Sequence, residues 1–88
     1  MRDRTTYTNL TESGQVKAGE CWVAGMYVNS TSSGTVKLYD YLSATGSVIF
    51  NTITPAAGYH SLGNVHCETG CYAEIGATID VTFLTLEE

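Results

Sequence analysis

"ECWVAGMYVN", residues Glu20–Asn29, is the stretch whose reading decides the fold. Apolar side chains stand on both sides of its two-residue alternation. Cys21, Val23 and Tyr27 fall on one side, and Trp22, Ala24, Met26 and Val28 on the other. Such a strand is expected at the centre of a sheet, covered on both faces. Mixtures of Leu, Glu, Lys and Ala that favour helices never run long enough to compete. Thr, Val, Ile and Tyr dominate between the breaks instead.

Outward from this strand, residues 29–54 read "NSTSSGTVKLYDYLSATGSVIFNTIT" and hold two further strands around a Gly/Ser/Thr break. In Thr35–Tyr41, Val36 and Leu38 point one way and Lys37 and Tyr39 the other, which predicts one wet face. In Ser47–Thr54, Val48 and Phe50 alternate with Ile49 and Ile53, and Pro55 ends the run because it brings no ladder donor. "TPAAG" then makes a turn. Tyr59–Gly63, Val65–Glu68 and Cys71–Ile75 read as short strands, and Ile79–Leu86 as a well-packed one. Seven or eight short strands in one small unit predict an all-β domain, a β-sandwich or jelly-roll-like fold with one sheet covering another.

The 88 residues make one domain, since two halves would each be too small to bury a stable core. Residues 1–12 read as a polar N-terminal arm and 13–88 as the folded unit. A domain of this size buries only about 60–65% of its unfolded surface, so self-association would add useful burial.

The net charge of −5, with only Arg2, Arg4, Lys17 and Lys37 as bases, offers no basic stripe for phosphates. Nucleic acid and anionic membrane are therefore not expected partners. No apolar stretch approaches the ~20 residues of a membrane helix, and "MRDRTTYTNLT" has no signal-peptide centre, so a soluble, unprocessed chain is expected. Arg2 and Arg4 open the chain and Glu87 and Glu88 close it. These charged ends read as solvated tails, with a contact between subunits as the alternative.

"HCETGC", His66–Cys71, with His60 upstream, gathers soft ligands within a dozen residues. Zinc would want a second closely spaced pair, and the remaining thiol, Cys21, lies in a strand that reads as core. Small half-buried side chains at a hairpin explain the spacing, so no metal and no cofactor are expected. Without a signal peptide the three cysteines read as free thiols; a Cys67–Cys71 disulfide is the alternative in an oxidising environment. His60/Ser61 and His66/Cys67 supply the letters of a nucleophilic pair, but strand neighbours point to opposite faces and cannot bond directly. Asp40, Glu68, Glu74 and Asp80 are scattered singly. The chain is not expected to be an enzyme.

Six tyrosines against two phenylalanines and one tryptophan make an unusual aromatic set. Tyrosine suits interfaces, because its ring is apolar and its hydroxyl can stay wet. Tyr27 and Tyr72 are expected in the core, and Tyr39 and Tyr41 on an outward face as a subunit or partner interface.

The series "GECWVAGMYVNSTSSGTVKLYD", "SATGSVIFNTITPAAGYHSLGNVHCETGCYAEIG" and "IDVTFLTL" resembles small β-rich virion proteins of tailed bacteriophages. The features that carry the resemblance are Gly34–Asp40, the Pro55–Gly58 turn, the Thr-Gly before Cys71-Tyr-Ala, and Asp80-Val-Thr. It implies a capsid decoration (cement) protein, a homotrimer on the outer surface of the head that bridges major capsid proteins and is made in the host cytoplasm. On that reading Arg2, Arg4 and Tyr7 of the arm would contact the capsid. The competing expectation is a fibre or tail-tip module that binds a receptor or carbohydrate through Tyr39, Tyr41 and Trp22.

Overall fold

A computed structural model of the chain describes residues 4–87. It is all-β: β1 Arg4–Leu10, β2 Gly14–Ala18, β3 Cys21–Asp40, β4 Ser47–Ile53, β5 Gly58–Cys67 and β6 Gly70–Glu87. All the pairings are antiparallel. There are six strands, where the turn rhythm predicts seven or eight. Segments 20–29 and 35–41 fuse into β3, 59–63 and 65–68 into β5, and 71–75 and 79–86 into β6. The polar breaks between them are bends and bulges inside continuous strands, which composition alone does not distinguish from turns.

The two long strands form the spine. β3 and β6 pair from Trp22↔Leu86 to Tyr39↔Tyr72. β5 and β1 flank the first half of β3 and the second half of β6; β4 and β2 flank the other halves. This makes two four-stranded layers, β5-β3-β6-β1 and β4-β3-β6-β2, that share their central strands.

The spine folds back across its middle. Asp40, the last residue of β3, accepts hydrogen bonds from the backbone amides of Glu68 and Thr69, both at 3.2 Å. The residue before that turn, Cys67, pairs with Cys21, the first residue of β3. Both ends of one 20-residue strand therefore meet at the same place. The Thr8 hydroxyl donates to the Val16 carbonyl across the layers at 2.8 Å, and Lys17 pairs with Glu87 at 2.8 Å. A sandwich-like domain results.

The bend is built from irregularities at Val28/Ser30 and Ser32/Ser33, with Ser33 and Ala77 in the left-handed region at φ 60° and 57°. Gly34 lets the strands approach there. A β-carbon at this position would collide with Ile79 Cβ and lie 2.7 Å from the Thr78 carbonyl oxygen. The Gly34 amide donates to the Thr31 hydroxyl at 3.0 Å, which holds the turn from inside.

The core lies between the layers: Val23, Met26, Val28, Val36, Leu38, Ala73, Ile79, Val81 and Phe83, with Cys21, Cys67 and Cys71 at one end. Thr85 is the buried polar residue, and its hydroxyl is satisfied by the Thr6 hydroxyl at 2.9 Å. An irregularity between Val23 and Gly25 changes the parity of β3. Met26 and Val28 consequently join Cys21 and Val23 inside, while Tyr27 turns outward. The strand is central, as expected, but only one of its faces is fully covered.

Residues 4–10, expected within a polar arm, are the edge strand β1. Its register places Arg4 opposite Glu87.

Candidate functional site: a tyrosine-rich outer face

The outer face of the first layer is laid out in rows by strand register. Tyr59, Tyr27, Thr82 and Asn9 face one another across β5, β3, β6 and β1. The next row is Ser61, Gly25, Leu84 and Tyr7, and further along stand His66, Trp22, Leu86 and Thr5. Tyr7, Tyr27 and Tyr59 are 75%, 50% and 54% exposed, which is unusual for rings on a sheet face.

The Tyr59 ring lies against the backbone of Gly25. A β-carbon there would collide with the ring hydroxyl and stand 2.7 Å from Cζ. Glycine is thus the residue that lets the ring come this close to the strand. Nearby, Trp22 and His66 have ring centroids 4.8 Å apart, and His66 Nε2 lies 2.6 Å from Glu20 Oε2.

One end of the face is polar and fixed. Asn9 and Asn29 both donate through Nδ2 to Asp80 Oδ1, at 2.7 and 3.1 Å, and both reach the Thr82 hydroxyl at 3.1 Å. The Asn9 hydrogen bond, then the Asn29 one, hold the Asp80 carboxyl below its ordinary pKa. The sign follows from linkage. A carboxyl with a lowered folded-state pKa contributes stability above its unfolded value near ~4, and loses it as pH falls through the folded value. Asp80→Asn is therefore expected to lower the urea midpoint at pH 7 and to differ little from the parent at pH 2. A gap of equal size at both pH values would remove the carboxylate from the explanation.

The other expected site residues are dispersed. Tyr39 is buried, contrary to its expected outward role. It does lie on the outer face of the second layer, but Tyr72 and Lys37 cover it, with Tyr72 6.4 Å away between ring centroids and the Lys37 ammonium 5.3 Å from the ring centre. The Tyr39 hydroxyl donates to Glu74 Oε1 at 2.7 Å, and that bond raises its pKa. Tyr41 is exposed in the link after β3, against Gly46. Of the arm residues, Tyr7 belongs to the tyrosine face, Arg4 opens β1, and Arg2 lies outside the described residues.

The histidines and thiols that looked like a constellation are separated by strand parity. His66 points outward to Glu20, His60 Nε2 lies 2.7 Å from the Ala56 carbonyl oxygen, and Cys67 is inside. Among the described residues no group of three His, Cys, Asp or Glu side chains is arranged to hold a metal ion.

Tyr27 and Tyr59 are the site residues that sequence reasoning missed. The available signal was Gly25, because a glycine inside a strand marks a bulge or a close approach, and either changes which face the following residues occupy.

Comparison of the chain with family models, with curated proteins and with solved structures returns no match. The functional reading therefore rests on the face itself.

Proposed function

We propose that this protein is a structural module that works by surface contact, a bacteriophage capsid decoration protein that docks on the major capsid protein. The observation that carries the reading is the outer face on which Tyr7, Tyr27, Tyr59 and Trp22 stand with Leu84. Tyrosine and tryptophan are the residues that contribute most when an interface dries, because they bury large rings at little entropic cost. A rigid sheet presents them already positioned, which reduces the cost of ordering on binding. A clamp of this kind, binding only the mature lattice, stabilises it by mass action, and trimers would engage several lattice sites at once.

Purified protein mixed with expanded and unexpanded heads tests the reading. Binding to the expanded form is expected, with Tyr27→Ala and Tyr59→Ala each weakening it about tenfold or more. Binding to neither form would remove the proposal.

A second reading, a carbohydrate-binding module, is favoured by one arrangement. Tyr59 and Tyr27 share a row with Asn9 of the fixed Asn9–Asp80–Asn29 cluster, and sugars are held by such pairings of aromatic rings with planar polar groups. A glycan-array signal lost in Tyr27→Ala, without head binding, selects it over the first.

A further inference from the structure

Cys21, Cys67 and Cys71 come from three different strands, and all three are fully buried. Cys21 and Cys67 are direct partners in the β3–β5 register, with side chains on the same inner face. Cys71 is the second residue of β6 and pairs with Lys17 of β2. The three thiols belong to one buried core. The Cys67 sulfur also lies 4.0 Å from the Val65 carbonyl oxygen. Two thiols directly opposed across a strand pair, with a third in the same core, are more than core packing needs.

We propose that Cys21 and Cys67 are an oxidation site at which a small-molecule disulfide installs a cross-strand disulfide, leaving Cys71 as a thiol. Directly opposed residues of antiparallel strands have α-carbons about 4.5–5.5 Å apart, within the range a disulfide spans. Cys71 pairs with Lys17 and has no such register with Cys67. The bond would tie β3 to β5 beside the turn that Asp40 caps, closing a long loop between residues 21 and 67.

The chemistry balances in two exchanges. One protein thiol loses its proton, and its sulfur attacks the small disulfide, forming a mixed disulfide and releasing one small thiolate. The second protein thiolate attacks the protein sulfur of that mixed disulfide and releases the other. Two protein thiols together give up two protons and two electrons, and the small disulfide is reduced to two thiols.

The resting state is protected. The hydrogen bond to Cys67, then burial, raises the Cys21 pKa. At Cys67 the bond with Cys21 lowers the value, but the bond with Cys71 and burial outweigh it and push it up to about 12. The thiolate is scarce, so oxidation is slow and follows opening of this end of the sandwich. A reducing compartment keeps the pair as thiols, and an oxidising one converts it to a clasp.

The test uses the intact chain incubated with oxidised glutathione in native buffer, then alkylated under denaturing conditions. Cleavage after Lys37 and after Glu20, Glu68 and Glu74 separates the three cysteines onto different peptides. Peptide 21–37 joined to 38–68, with alkylated Cys71 on 69–74, is the expected product. The oxidised chain should melt roughly 10–20 °C higher than the reduced one. Cys71→Ala should still form the bond, and Cys67→Ala should form none. A Cys67–Cys71 link, glutathione retained on the protein, or three alkylated cysteines would each overturn the proposal. This result is independent of head or glycan binding, so either idea can fail alone.

Discussion

Phe83→Ala is expected to remove about 3–5 kcal/mol of stability, close to the whole margin of a domain this small. Phe83 is fully buried and lies in β6, the strand shared by both layers. It faces Met26 of β3 on one side and Thr8 of β1 on the other. Truncation would leave a hole against Met26, Val28 and Val81, on the two paired central strands, which have little freedom to collapse into it. The melting midpoint should fall by roughly 15–30 °C. Phe83→Leu, which keeps most of the volume, should cost under about 1.5 kcal/mol. Urea unfolding of the three chains measures both values. Equal losses in the two variants would mean that the site does not act through packing.

Gly34→Ala is expected to cost about 1–3 kcal/mol, although it adds one carbon and leaves an ordinary backbone conformation. The new methyl would meet the Thr78 carbonyl and the β-carbon of Ile79, both held by the β3–β6 ladder. Relief requires the layers to part at the bend, which also loosens Ile79, a buried core residue. Gly76→Ala is the control, because its close neighbour is the Thr35 hydroxyl, a side chain that can rotate away. Thermal midpoints should separate the two variants, with Gly34→Ala much lower. If they coincide, close approach at the bend is not what Gly34 provides.

The sequence carried the fold class, since strand-forming runs and turn residues alternate from Gly14 to the end. It also showed that β3 is central and that Pro55 closes β4. Strand continuity was not legible. "NSTSSG" reads as a break because its residues favour turns, and only the β6 partner at Thr78–Ile79 makes the same residues a bend within one strand. β1 escaped notice because Thr, Tyr and Asn at an edge do not alternate in hydrophobicity, and what holds them is the exposed side of β6.

The site was less legible still. Tyr39 and Tyr27 exchanged roles, one covered by Tyr72 and Lys37, the other released by the bulge before Gly25. Each depends on a neighbour brought in from a distant part of the chain. Cys21 likewise joins Cys67 only through strand register, which no local spacing encodes.

β6 is the final strand, yet β1, β2 and β3 all pair with it, and β1 and β2 have no other ladder partner among the described residues. A chain stopped at Thr69 therefore lacks the piece that unites its two layers. No spine exists until residues 70–87 have been made, so this architecture delays folding until β6 is available. Long-range closure of this sort also makes assembly slow, because distant segments must meet before any contact rewards them.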